Sequence, residues 1–260
     1  MELSVHSCGD AAAPPVAILH GLLGSSRNWQ AAARELAAAY RVHSLDLPGH
    51  GGSPASGRLD YPGLAAAAAG WLEGRGIEAG RLIGHSIGGK AAMRLACRRP
   101  ELVARLLVVD IVPKTYPKSH DETVGAMREL DLARLESRRE ADARLAERIG
   151  DWGLRQFLLT NLERSPEGGF RWIPDLAAIG GSLRELERSP LEAGDRYEGP
   201  TLFVMGERSD YYRAAEDRER IERHFPRARV EVLPGCGHNP HFERREAFCA
   251  LAMAFFGERE

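Results

Sequence analysis

Ser86 lies in Gly84-His85-Ser86-Ile87-Gly88, between the apolar-ended stretch Arg81-Leu82-Ile83 and the small-residue run Gly89-Lys90-Ala91-Ala92-Met93-Arg94-Leu95-Ala96. A serine forced into a tight strand-to-helix turn carries a strained backbone. The chain there passes so closely that the residues two before and two after it must lack side chains. Gly84 and Gly88 meet that demand. The turn also opens a helix, so unpaired N–H groups of the first helical turn lie beside the hydroxyl, where negative charge develops during acyl transfer. Ile87 would supply one such donor. The competing reading is a glycine-rich turn holding an ordinary serine, and the neighbouring segments weigh against it.

The segment His20-Gly21-Leu22-Leu23-Gly24 follows an apolar run and could present the Leu22 N–H toward Ser86, completing an oxyanion hole with Ile87. Its glycines let the backbone, rather than side chains, approach the reacting oxygen. A general base is offered by Gly235-Cys236-Gly237-His238-Asn239-Pro240-His241. His238 is preferred to His241 because glycines flank it in the loop, whereas Pro240-His241 reads as the start of the final helix. With no H-E-x-x-H and no third ligand nearby, the two histidines do not read as a metal site. Two acids follow strand-like runs in the chain order Ser, Asp, His: Asp110 after Leu106-Leu107-Val108-Val109, and Asp210 in Gly206-Glu207-Arg208-Ser209-Asp210-Tyr211. Burial of an ionised carboxylate at Asp110 demands a partner that a histidine N–H would provide, which favours Asp110, with Asp210 the alternative.

These residues need a scaffold that brings distant loops to one edge. Pro15 to Leu19 and Arg41 to Asp46 read as strands with a helix from Trp29 to Ala37 between them, a β-α-β unit that implies parallel pairing. Ala65 to Leu72 reads as helix, and Arg81 to Ile83, Leu106 to Val109, Thr201 to Met205 and Arg229 to Leu233 as further strands. A helix from Arg245 to Phe256 closes the chain. The expected fold is α/β: a doubly wound, mostly parallel sheet.

From about Lys114 to Ser189 the alternation stops, and charge-rich helical sequence continues with no convincing strand. The expected organisation is a core of residues 1–113 and 190–260 with a helical cap of residues 114–189 inserted after the sixth strand. Met127, Leu130, Leu135, Leu145 and Ile149 suit the inner faces of cap helices. Trp152, Phe157, Leu158, Phe170 and Trp172 concentrate apolar bulk, most of it expected to hold the cap together and some of it to roof the site.

The whole length resembles the α/β-hydrolase superfamily, and most specifically the YbfF-like esterases and their mitochondrial abhydrolase relatives. The segments that carry the resemblance are His20 to Ser25 with Asn28-Trp29, Asp46-Leu47-Pro48-Gly49-His50-Gly51, Gly84 to Met93, Val109-Asp110-Ile111-Val112-Pro113, and Gly237-His238 followed by His241. Gly-Gly-Lys after the serine and Asp-Ile-x-Pro after the strand look like this branch in particular. The resemblance implies that the acid is taken from Asp110. In many other relatives the acid comes from the loop holding Asp210, but one residue earlier, where this chain has Ser209. Asn239-Pro240 departs from the branch, which usually carries an aromatic residue after the histidine.

The residues and the resemblance together imply a serine esterase that cleaves small or medium acyl esters or thioesters through an acyl-enzyme, with no cofactor or metal. An alternative of the same fold is a carbon–carbon lyase of the menaquinone-pathway type, which needs arginines to clamp substrate carboxylates. Arg155 and Arg171 are the candidates if they face inward. A non-catalytic binding module is the third possibility. The chain has 260 residues, a formal net charge of −2 and 43% hydrophobic residues, which suits one large domain and gives no electrostatic case for nucleic acid. The start Met1-Glu2-Leu3-Ser4-Val5-His6-Ser7 has no leader pattern, and no later run would span a bilayer, so a cytoplasmic monomer or homodimer is expected. Cys8, Cys97, Cys236 and Cys249 are scattered and read as reduced thiols.

Overall fold

Strands buried on both faces must be apolar along their whole length, and four such runs form the middle of the sheet. The computed structural model describes residues 2–55, 57–117 and 120–258. In chain order its first half comprises strand β1 (Val5–Cys8), β2 (Pro15–Leu19), helix α1 (Gln30–Leu36), β3 (Arg41–Leu45), α2 (Tyr61–Glu73), β4 (Gly80–His85), α3 (Ile87–Arg98) and β5 (Val103–Val109). Then come α4 (Asp121–Glu129), α5 (Arg138–Ala146), α6 (Trp152–Leu159), the short strands β6 (Leu162–Arg164) and β7 (Phe170–Trp172), and α7 (Leu176–Glu187). The chain returns to the sheet with β8 (Thr201–Gly206), α8 (Ala214–His224), β9 (Ala228–Leu233), α9 (Pro240–Glu243) and α10 (Arg245–Gly257).

The seven-stranded sheet has the order β1-β3-β2-β4-β5-β8-β9. All its neighbours are parallel except β1, which pairs antiparallel with β3. The period of two along each strand divides the core into two layers. Val16, Ile18, Leu107, Val109, Leu202 and Val204 join α1 and α10 on one face. Ala17, Leu19, Leu106, Val108, Phe203 and Met205 join α2 and α3 on the other. Local signals set the helix ends: Asp60 accepts from the Gly63 N–H at 2.7 Å to start α2, and Pro100 follows the end of α3.

Three expectations need correction. The inserted segment follows the fifth strand of the chain and not a sixth, because only β1 to β5 precede it. It also contains an antiparallel pair, β6 and β7, which the sequence hid because three-residue strands leave no readable periodicity. The helical stretch near the C-terminus is split, with Pro240 opening the one-turn α9 before α10. Met127 and Leu145 are buried on α4 and α5 as expected, whereas Leu135 and Ile149 are buried outside the helices and Leu130, partly buried, caps α4. Among the described residues no helix is long and apolar enough to cross a membrane.

Candidate active site

At the end of β4 the chain turns sharply, and Ser86 takes φ 52° and ψ −119° before α3 begins. Its N–H donates to the Val109 carbonyl at 3.1 Å, which ties the turn to the end of β5. A Cβ on Gly84 would lie 2.5 Å from the Gly88 oxygen, and one on Gly88 would collide with the Leu19 and His20 carbonyls. The two glycines are therefore required by backbone approach. Among the described residues only Leu23, Ser86 and Asp110 combine a side chain with positive φ. They stand in the 20–24 loop, the serine turn and the end of β5, so the strained positions gather at one edge of the sheet.

Asp110 is fully buried and its carboxylate takes three donors. Oδ1 accepts from the Gly206 N–H at 2.8 Å, while Oδ2 accepts from His238 Nδ1 at 2.7 Å and from the Ser209 hydroxyl. Because the carboxylate only accepts, Nδ1 of His238 carries the proton and Nε2 is left as the basic nitrogen of the neutral ring. The loop bearing His238 passes so close to β8 that a Cβ on Gly206 would collide with the Gly237 oxygen. Asp210 is exposed and lines a different cavity, so the structure brings His238 to Asp110 and not to Asp210.

His85 connects the serine turn to the histidine loop. Its Nε2–H donates to the His238 carbonyl at 2.9 Å. Gly21 lies against the opposite nitrogen, where a Cβ would stand 2.7 Å from Nδ1 and 3.3 Å from Ser86 Cβ. Burial, reinforced by His241 and His238, holds His85 well below the ordinary histidine range, so it stays neutral. His241 is buried and stacked on Trp29 with ring centroids 4.0 Å apart, and burial pulls it down to about 3. The second histidine of the motif thus packs into the core beside Trp29.

Leu22, Ser86, Ile87, Lys90 and Ile111 form the core side of a pocket with about 20 Å³ of free space, room for about one water. The first N–H of α3 has no intrahelical acceptor, and it belongs to Ile87. Tyr116, His120, Leu183, Leu186 and Glu187 close the other side, together with Tyr211. Lys90, one turn beyond Ser86, donates to the carbonyls of Leu186, Glu187 and Arg188 at 3.4, 3.1 and 2.7 Å, binding the end of α7 to the serine helix. Burial brings its ammonium down to about 7, an effect opposed by Glu187.

The profile of the Alpha/beta hydrolase family matches residues 16–251. The chain belongs to this family. It is 36% identical over 255 residues to the sn-1-specific diacylglycerol lipase ABHD11 of Mus musculus, covering 95% of this chain and 82% of that protein. Esterase YbfF of Escherichia coli (strain K12) is 30% identical over 235 residues, covering 90% of this chain and 89% of the relative. A solved structure described as a marine microorganism esterase superposes with a TM-score of 0.94 at 32% identity, covering 98% of this chain and 99% of that one.

Within this hydrolase, the structure places several residues whose direction the sequence left open. Arg155 is held inside the insertion by Asp142 at 2.7 Å and by the Ile149 and Gly150 carbonyls, and Arg171 pairs with Glu163. Neither lines the Ser86 pocket. None of Trp152, Phe157, Leu158, Phe170 and Trp172 roofs it either, and Trp152 is exposed. The roof comes from the end of α7 and from Tyr116 and His120, since α7 leads straight back to β8. Ser209, His85, Tyr116 and Tyr211 went unassigned because their roles depend on contacts between distant loops. Lys90 carried a signal, its place in Gly-Gly-Lys one turn after the serine.

Proposed function

We propose that the protein is a serine carboxylesterase that cleaves small to medium acyl esters or thioesters through an acyl-enzyme. The observation that carries this reading is the Asp110–His238 pair, with His238 bound through its own carbonyl to the residue before Ser86. In the proposed route the Ser86 oxygen attacks the acyl carbon while His238 Nε2 takes its proton. Asp110 holds the ring in the tautomer with Nδ1 protonated and balances the charge it gains. The N–H groups of Leu22 and Ile87 receive the oxyanion. Collapse breaks the bond to the leaving oxygen or sulfur, which takes the proton from His238, and a water then repeats the sequence to release the acid.

The names of the relatives, esterases and a diacylglycerol lipase, support ester cleavage. In this reading residues 114–189 act as a cap, and the small free volume at Ser86 requires its α7 end or Tyr116 to move when substrate enters. The inward-facing arginines that the lyase alternative needs are not found at Arg155 or Arg171. The test is hydrolysis of p-nitrophenyl acetate and butyrate by wild type and Ser86→Ala. Loss of turnover with little change in melting temperature supports the proposal, and retained turnover overturns it.

A further inference from the structure

A cavity of about 370 Å³ lies beside the Ser86 pocket and shares two walls with it, Tyr116 and Tyr211. Lys114, Pro117, Asp210, Arg213 and Glu216 complete its lining. We infer that this cavity is the leaving-group subsite, and that it takes bulky, uncharged alcohols with a flat apolar face. The inference rests on the esterase reading.

The direction of the leaving group follows from the proton balance. When the tetrahedral intermediate collapses, the bond from the acyl carbon to the alcohol oxygen breaks, and that oxygen takes the proton from His238 Nε2. The alcohol must therefore lie on the His238 side of Ser86. Tyr211 marks that side, because its ring stacks on His238 with centroids 4.1 Å apart and an interplanar angle of 17°. The same tyrosine borders both spaces. Its carbonyl accepts from the Tyr116 hydroxyl at 2.9 Å, and that hydroxyl in turn accepts from the Val112 N–H at 3.0 Å. The two tyrosines, joined by that hydrogen bond, stand between a pocket of about 20 Å³ at Ser86 and a cavity of about 370 Å³, so the greater room for an alcohol lies behind them and is reached when they part.

The chemistry of the lining selects among alcohols. The rings of Tyr116 and Tyr211 lie in contact with centroids 5.1 Å apart and tilted by 45°, and they give the cavity its aromatic wall. The positive charges are already engaged: Lys114 Nζ binds the buried carboxylate of Asp217 at 2.7 Å, and Arg213 reaches Glu216 at 3.9 Å. Asp210 adds a further carboxylate. Among the described residues the lining carries two cations, Lys114 and Arg213, and two carboxylates, Asp210 and Glu216, which leaves no surplus positive charge there for a phosphorylated alcohol or thiol.

The test compares acetates that share one acyl group: phenyl acetate, 2-naphthyl acetate, and phenyl acetate carrying a 4-phosphate monoester. The expected kcat/KM is about tenfold higher for the naphthyl than for the phenyl ester, as one added apolar ring in a fitting pocket gives, and lowest for the phosphate-bearing ester. Glu216→Trp, an exposed position in the first turn of α8, fills the cavity and should bring the naphthyl-to-phenyl ratio to about one. Asp210→Trp repeats the test from the loop before α8, and melting curves check that each variant is folded. A ratio that survives both substitutions in folded protein overturns the inference. So do equal rates for phenyl and naphthyl esters, or preference for the phosphate-bearing ester, while Ser86-dependent hydrolysis leaves the esterase reading intact. Absence of Ser86-dependent turnover of every ester overturns both.

Discussion

Ser209 and His238 donate to the same oxygen of Asp110, Oδ2, from loops that follow different strands. The hydroxyl at 209 thus stands where it restrains the carboxylate that orients the imidazole. Ser209→Ala should lower kcat/KM by about tenfold, the loss of one hydrogen bond to a charged group, with little change in KM. Placing the acid at this position tests the geometry more directly. Asp110→Asn should lose about 10³–10⁴-fold in kcat, as expected when the wrong histidine tautomer is held. Adding Ser209→Asp to that variant should recover part of the loss.

The choice between acids separates cleanly in p-nitrophenyl ester assays. Asp210 is exposed, so Asp210→Asn should lose less than about tenfold, against the far larger loss for Asp110→Asn. The reverse order would remove Asp110 from its proposed role.

Lys90 fastens α7 to the helix that starts at Ser86. Lys90→Met keeps the length of the side chain but leaves three carbonyls at the helix end without their donor. The expected cost is about 1–3 kcal/mol of stability, read from the denaturant midpoint. Kinetics should change as well, because Leu183 and Leu186 at the pocket wall lose their anchor. An unaltered midpoint would show that the carbonyls find other donors.

Acid should destabilise the fold through its buried histidines. Burial is the main cause that holds His85 well below its ordinary value and His241 and His50 at about 3. The unfolded chain takes up protons near pH 6.5 that the folded chain refuses. Stability is therefore complete above that pH and falls as pH drops toward the folded values. Each ring that stays neutral should remove about 1–2 kcal/mol between pH 6.5 and 5. His241→Phe keeps a flat ring against Trp29 and removes Nδ1, which is buried without a hydrogen-bond partner among the described residues. It should flatten the slope of melting temperature against pH in this range. An unchanged slope would show that His241 is protonated in the fold.

Gly206 tests the placement of the histidine loop. A methyl group there meets the Gly237 oxygen, next to His238, so Gly206→Ala should shift the imidazole and cost about 10²-fold in kcat. Retained activity would mean that the loop moves aside without disturbing His238.

The serine turn, the 20–24 loop and the His238 loop were legible in the amino-acid sequence because each depends on local backbone demands that leave glycines at fixed spacings. The central strands were legible for a similar reason: burial on both faces leaves unbroken apolar runs. Short or edge elements such as β1, β6 and β7 were not, since three or four residues with one exposed side lack a period. The acid lay between these cases. Asp110 and Asp210 both follow strands, and the burial argument and the family resemblance favoured the first without locating its partners. Only the packing of β5 beside β8, and the close passage of the 236–238 loop over Gly206, decided which carboxylate meets His238. The same holds for the pocket roof, where apolar content pointed to the aromatic stretch from Trp152 to Trp172. The three carbonyls that Lys90 gathers put the end of α7 there instead, because a buried ammonium must find acceptors and the end of a helix supplies them.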